Sequence, residues 1–244
     1  MPDLKALVLT AGKSTRIAAV AGGLPKPLIK IQGETVLGRN LRWLSSQGIK
    51  QVWINLHYRP DDIRAAIGDG TRFGQIVRYV YEPEILGTAG AVRNLSSEWD
   101  RTFLVVYGDN LLSFDLKGFL EFHQTHKSCV SVALFDRERH SHTGIAGGRV
   151  RLAPDGRIQA FCEGTSGENS SLVNSGVYLV EPGVVEEILP GRLCDFGLEL
   201  FPLLLEQGRP LYGYLIKGYC LGIDTPESYQ ETIRLVESKE VTLS

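Results

Sequence analysis

The chain has 244 residues, enough for one large α/β domain or two small ones. Its 26 basic and 28 acidic residues leave a formal charge of −2, which gives no bulk electrostatic reason to bind nucleic acid. No apolar run reaches the ~18 residues of a membrane span, so no membrane attachment is expected.

Taken in order, Lys5 to Thr10 reads as the first strand, and Gly33-Glu34 marks a turn. Val36 to Gln47 has apolar residues at Val36, Leu37, Leu41 and Leu44, which is helical spacing, and stops at Gly48. Gln51 to Leu56 is a second strand, and Asp61 to Ile67 a short helix opened by Pro60 and closed by Gly68. Gln75 to Tyr81 is a third strand, and Thr88 starts a helix rich in small residues. Arg101 to Tyr107 is a fourth strand that ends at Gly108-Asp109-Asn110. Leu116 to Lys127 reads as a helix and Ser128 to Phe135 as a strand.

This βαβα alternation predicts a parallel, doubly wound sheet over the first 135 residues, with ligands at the carboxyl ends of its strands. This half is expected to bind nucleotide. After Phe135 the texture changes. Gly144 to Leu152 and Arg157 to Cys162 flank the turn Ala153-Pro154-Asp155-Gly156. Glu163 to Ser171 is polar and reads as a loop, Leu172 to Val180 as a strand. Pro182 to Leu189 and Phe196 to Gln207 read as helices, Leu211 to Ile216 and Tyr219 to Ile223 as strands. Thr225 is a good N-cap, with Pro226 at the first position of a closing helix. No linker interrupts the chain. Residues 136–244 are expected to pack on the same sheet, within a single domain, as the acceptor side of one cleft.

The N-terminal stretch lacks the basic region, apolar run and cleavage site of a leader. Cys129, Cys162, Cys194 and Cys220 form no metal pattern, so reduced thiols in a cytoplasmic protein are expected. His140 and His142 lie in a polar stretch and read as a solvated loop rather than a chelate.

Leu7 to Ile31 organises the rest. An apolar strand ending in Leu9 runs into Ala11-Gly12, small enough for backbone to approach a ligand. Lys13, Ser14, Thr15 and Arg16 follow, and then Pro25-Lys26-Pro27. Clustered backbone N–H groups with the charges of Arg16 and Lys26 point to an anion site. A P-loop would need a glycine where Leu7 stands. The order small-Gly-x-x-Thr-Arg, then Pro-Lys-Pro-Leu, resembles the signature of sugar-1-phosphate nucleotidyltransferases. That family carries a glycine where this chain has Ser14. The spacer Ile17 to Leu24 and the run Gly68 to Gly74 look like guanylyltransferases acting on mannose- or heptose-type 1-phosphates. The latter run also occurs in a uridylyltransferase acting on N-acetylmuramate 1-phosphate.

The resemblance implies a Rossmann-like α/β/α fold with a mixed, mainly parallel sheet. It also implies a Mg²⁺-dependent enzyme that joins a nucleoside triphosphate to a sugar 1-phosphate and releases pyrophosphate. Asp109 ends a buried strand, where a hard carboxylate suits Mg²⁺, although it could equally cap the next turn. In the resembling family the aspartate at this place binds the metal. Most relatives place a second metal aspartate where this chain has Gly222. Here the acid stands at Asp224, as in related cytidylyltransferases. A shift of two along a strand keeps the face but moves the carboxylate by ~6–7 Å.

Arg16, Lys26 and Asp109 are the expected catalytic residues, and Asp109 and Asp224 the metal ligands. Leu9, Ala11, Gly12, Lys13, Ser14 and Thr15 are expected along the nucleotide. Glu82 to Ala91 resembles the family segment that lies against base and sugar, so Glu82, Gly87 and Thr88 join this set. Gly87 and Gly90 would leave room for a ring to slide along backbone. Glu82 or Glu84 could accept from guanine N1–H and N2–H₂. Asn110, Glu163 and Asn174 are expected on the sugar phosphate, although Gly164 and Thr165 replace the family's usual lysine and proline. GTP is the favoured donor, with UTP or thymidine triphosphate as alternatives. A catalytically silent regulatory relative is a further alternative, and a homodimer is left open.

Overall fold

The computed structural model describes residues 4–143, 145, 147–163 and 170–243. The expected strand start at Gly144, and residues 164–169 of the expected loop, lie outside the described residues.

The first half alternates as its apolar pattern dictates. β1 (Lys5–Leu9) leads through a 3₁₀ turn, Thr15–Ile17, into α1 (Ala18–Ala21). A tight pair, β2 (Lys30–Ile31) and β3 (Glu34–Thr35), precedes α2 (Val36–Ser46). Thr35 caps that helix by accepting the Gly38 N–H at 3.0 Å. β4 (Gln51–Leu56), α3 (Pro60–Ile67), β5 (Ile76–Tyr81), α4 (Gly87–Arg93) and β6 (Phe103–Tyr107) follow. Next come β7 (Asn110–Phe114), α5 (Leu116–His126) and β8 (Val130–Asp136).

The second half adds β9 (Arg149–Leu152), β10 (Ile158–Cys162), β11 (Leu172–Val180) and a single turn, α6 (Pro182–Val185). A π-turn, Phe196–Leu200, leads into α7 (Phe201–Glu206). β12 (Leu211–Leu215), β13 (Gly218–Gly222) and α8 (Pro226–Glu237) complete the order.

Among the described residues, nine strands from both halves share one sheet. β1 lies at its centre, parallel to β4 on one side and β6 on the other, with β5 parallel beyond β4. β11 then runs antiparallel to both β6 and β8, and β12 is parallel to β8. The sheet is therefore mixed and mainly parallel. β8 is not bonded into the parallel core as the simple alternation suggested, because antiparallel β11 inserts between it and β6.

Side chains alternate along β1 as strand geometry requires. Ala6 and Val8 join a core with Leu37, Leu41, Ile63 and Phe119 from α2, α3 and α5. Leu7 and Leu9 face a second core with Val92, Phe201 and Leu204 from α4 and α7. Helices on both faces make the three-layer α/β/α arrangement. A third cluster ties Ile17 to Leu111, Leu221, Ile223 and Leu235, which anchors the opening loop against β7, β13 and α8.

Four element predictions needed correction. The strand expected from Gly144 begins at Arg149, since Ile145, Gly147 and Gly148 are not strand. The strand after Asp109 was missed, because buried Asn110, Leu111 and Leu112 show no alternation. The helix expected to reach Leu189 ends at Val185. The helix expected from Phe196 begins instead as a π-turn, since Pro202 has no N–H and its ring crowds the carbonyl four residues back.

β11 carries a register shift between Asn174 and Tyr178, with Gly176 at φ 75°. A Cβ at Gly176 would lie 2.7 Å from the Tyr107 ring. This bulge re-aims the strand beside the cleft, a common use of bulges.

Candidate active site

The site starts where β1 ends. The Thr10 N–H donates to Asn55 Oδ1 at 2.7 Å, so β4 fixes the chain's exit from the sheet. The loop then turns at Ser14, which is left-handed at φ 57°. A glycine would suit that geometry, but serine adds a function here: its Oγ accepts the Lys26 N–H at 2.8 Å. The loop is closed onto the Pro25-Lys26-Pro27 turn by that bond. Lys26 is buried at 6% exposure within a 3₁₀ turn, Lys26–Leu28.

The Lys26 ammonium donates to Asp109 Oδ2 at 2.7 Å and also to Asp224 Oδ1. Arg16 Nη2 approaches the same Asp224 oxygen at 3.6 Å. Burial alone would lower the Lys26 pKa, but the charges of Asp109 and then Asp224 outweigh it and hold the pKa above the ordinary lysine value.

Asp109 and Asp224 meet because β7 and β13 pair antiparallel, with Asn110 opposite Gly222. Asp109 immediately precedes one strand and Asp224 follows the other by two residues, so both stand at the same end of the ribbon. The displaced acid has a steric cause as well. A Cβ at Gly222 would lie 2.5 Å from Ile145 Cγ1, so a side chain at position 222 would have to displace Ile145. Nor is Asp224 the helix cap. Thr225 caps α8 in a capping box with Ser228, which leaves the Asp224 carboxylate to Lys26 and Arg16.

Three cavities open around this pair. The central lobe, about 210 Å³, is lined by Leu9, Gly12, Lys13, Ser14, Thr15, Arg16 and Lys26 with both aspartates. A wide lobe of about 340 Å³ adds Asn110, Glu163 and Asn174. A more apolar lobe of about 250 Å³ is lined by Leu9, Ala11, Gly12, Glu82, Gly87 and Thr88, together with Ile85 and Leu193. Asp109 lines all three, and Asp224 lines the central and wide lobes.

Two local expectations change in mechanism. Glu82 is 1% exposed. Its two carboxylate oxygens accept from Asn55 Nδ2 at 2.9 Å and from the Leu86 N–H at 3.3 Å, so it braces the wall. Burial raises its pKa, against the lowering effect of those hydrogen bonds. Gly87 and Gly90 make room for protein backbone rather than for a ligand ring. Cβ atoms there would lie 2.5 Å from the Cys194 carbonyl oxygen and 2.9 Å from that of Arg192. The Cys194 carbonyl in turn accepts the Ala89 and Gly90 N–H groups at 2.9 and 3.0 Å.

Sequence reasoning missed Asp195. Its Oδ1 accepts from both the N–H and the hydroxyl of Thr88, each at 3.0 Å. It therefore stands on the wall shared by the wide and apolar lobes. Asp195 directly precedes the π-turn, far along the chain from Thr88 on α4, and no local pattern signals the contact. In the wide lobe, burial and then the Asp195 charge raise the Glu163 pKa. Asn174 is held from both ends, donating to Tyr178 Oη at 2.7 Å and accepting the Gly176 N–H at 2.9 Å.

The donor set fits Mg²⁺. Two carboxylate oxygens already converge on one cation, the Lys26 ammonium, and Asp109 keeps 32% of its side chain exposed toward the cavities. Among the described residues no third His, Cys, Asp or Glu joins a metal-like group. Two carboxylates completed by phosphate and water oxygens are typical of Mg²⁺ rather than of an all-protein cage.

Among the described residues no helix is long and apolar enough to cross a membrane. The chain is 32% identical to a mannose-1-phosphate guanylyltransferase of Mycobacterium tuberculosis over 93% of its length and 63% of the relative's. It is 30% identical to a UTP–glucose-1-phosphate uridylyltransferase of Synechocystis over 98% of its length and 64% of the relative's. It thus spans just under two thirds of these relatives. HddC from Yersinia pseudotuberculosis shares the fold with a TM-score of 0.79 at 24% identity, covering 95% of this chain and 99% of that one. The family description "nucleotidyl transferase" matches residues 5–239. The chain belongs to the nucleotidyl transferase family.

Proposed function

We propose that the chain joins a nucleoside triphosphate to a sugar 1-phosphate, giving a nucleotide sugar and pyrophosphate. The observation that carries this reading is the Lys26–Asp109–Asp224 cluster, whose Asp109 lines all three cavities. The apolar lobe takes the base, the central lobe the phosphates and the wide lobe the sugar. An oxygen of the sugar phosphate attacks the α-phosphorus, a new P–O bond forms, and the bond to the β-phosphate oxygen breaks with its electrons leaving on pyrophosphate. No strong general base is needed, because a phosphomonoester is already mostly dianionic with its second pKa ≈ 6.

The protein's part is positioning and charge neutralisation. Arg16 and the Gly12 loop, with Lys13, Ser14 and Thr15, hold the leaving pyrophosphate. Lys26 stands beside the α-phosphate and the incoming phosphate, oriented by Ser14. Asp109 and Asp224 would hold Mg²⁺, which supplies charge stabilisation between the two substrates. Asn110, Glu163 and Asn174 bind and orient the sugar.

GTP with a mannose- or heptose-type 1-phosphate is the first choice. The Mycobacterium relative is named for mannose 1-phosphate and guanylyl transfer, and the Yersinia neighbour was solved with GMP-PN. The buried, occupied carboxylate of Glu82 lends guanine no support, and Glu84 is exposed outside the apolar lobe's lining. A uridylyl transfer is the second reading, favoured by the Synechocystis relative.

Incubating the chain with Mg²⁺, each triphosphate and a panel of sugar 1-phosphates, then measuring pyrophosphate, tests the proposal. Release is expected, fastest with GTP and a mannose- or heptose-type acceptor. No release with any pair would overturn it in favour of a silent nucleotide-sugar-binding role.

A further inference from the structure

The wide lobe carries a charge pattern that the transfer chemistry leaves unused. Away from Asp109, its wall presents the carboxylates of Glu163 and Asp195 among Thr88, Tyr107 and Asn174. Among the described lining residues Arg16 is the only cation, and it lies 3.6 Å from Asp224. Residues 164–169, which follow Glu163, include neither lysine nor arginine.

Asp195 is fixed in place, and Glu163 stands packed against Gly197. Asp195 is held by the N–H and hydroxyl of Thr88, each at 3.0 Å. Glu163 occupies the space beside Gly197, where a Cβ would overlap its carboxylate. The two groups sense each other, since the Asp195 charge adds to burial in raising the Glu163 pKa. Carboxylates accept strong, charge-assisted hydrogen bonds from hydroxyl donors. They repel a further carboxylate, and the repulsion grows in a site partly shielded from water.

We propose that this wall selects the acceptor by charge: it admits a sugar 1-phosphate whose ring bears only neutral hydroxyl substituents and turns away one that bears a carboxylate. The inference rests on the transferase reading for the identity of the ligand. Asp195 is then a specificity residue as well as the tie between the two lobes. At a dielectric of about 40, between that of a protein surface and that of water, two like charges roughly 6 Å away correspond to discrimination on the order of a hundredfold.

Equilibrium binding tests this independently of turnover. Calorimetry with Mg²⁺ present would compare mannose 1-phosphate with its C6-carboxylate counterpart, mannuronic acid 1-phosphate. The wild-type protein is expected to bind the neutral sugar about a hundredfold more tightly. Asp195→Asn keeps an amide oxygen for Thr88 while removing the charge, and is expected to narrow that ratio about tenfold. Glu163→Gln is the second arm and should narrow it similarly, so that misfolding of one variant does not decide the matter.

Equal binding of the two sugars by the wild-type protein would overturn the proposal. So would a ratio unchanged in the folded variants. If the ratio behaves as expected but no pyrophosphate is released from any pair, the wall stands and the transferase reading falls. If neither sugar binds, both fall.

Discussion

Replacing Lys26 by alanine should lower turnover by about 10²–10³-fold, the loss typical of removing one preorganised charge-stabilising group. The geometry makes Lys26 hard to replace. Its ammonium is buried, donates to Asp109 at 2.7 Å and pairs with Asp224, and its backbone N–H is fixed by Ser14 at 2.8 Å. A solvated lysine elsewhere could not reach the same point without losing those restraints. The variant also leaves Asp109 facing Asp224 with only the exposed Arg16, 3.6 Å from Asp224, to offset the two charges. Removing one partner of a buried charged group costs about 3–5 kcal/mol, reduced here because Asp109 is 32% exposed. A lowered Tm in metal-free buffer is therefore expected, with more recovery on adding Mg²⁺ than the wild-type protein shows. Thermal melts with and without Mg²⁺, alongside single-turnover rates, check both statements. Turnover near the wild-type rate would remove Lys26 from the site.

Changing Asp224 to asparagine should likewise cost on the order of 10²–10³ in turnover and weaken the dependence on Mg²⁺. Restoring the family's more common arrangement should not rescue it. In the Asp224→Asn background, adding Gly222→Asp puts a carboxylate at the position where most relatives carry one. Here a Cβ at 222 lies 2.5 Å from Ile145 Cγ1. Position 222 is also pinned by Thr143, whose hydroxyl donates to the Gly222 carbonyl at 2.7 Å. The double variant is expected to be less stable than the single one and no more active. Recovery of activity in it, read by pyrophosphate release over a Mg²⁺ titration, would show that the acid's displacement is incidental.

Much of the fold was legible because its strands are apolar runs punctuated by glycine and proline. Gln51–Leu56 and Leu172–Val180 were read with the boundaries they have. The residues expected at the site line one of the three cavities, apart from Glu84 and Gly90. What stayed hidden was what depends on partners distant in sequence. Asp195 acts on Thr88 across 107 positions, and nothing near either residue announces the contact. β7 was missed because its first three residues are all buried and show no alternation, yet its pairing with β13 is what sets Asp109 beside Asp224. Gly87 and Gly90 showed that a Cβ is not tolerated, but a sequence does not say whether ligand or backbone fills the space. Ser14 reversed the usual logic. It takes the left-handed turn a glycine would favour and uses its hydroxyl to hold Lys26.

Anomalous scattering from a crystal grown with Mn²⁺ and a nucleoside triphosphate would locate the divalent ion by observation alone. The account predicts one strong peak in contact with carboxylate oxygens of both Asp109 and Asp224, beside the Lys26 ammonium and on the side of the loop that carries Arg16. A peak held by neither aspartate, or by one while the other keeps only its lysine, would contradict it.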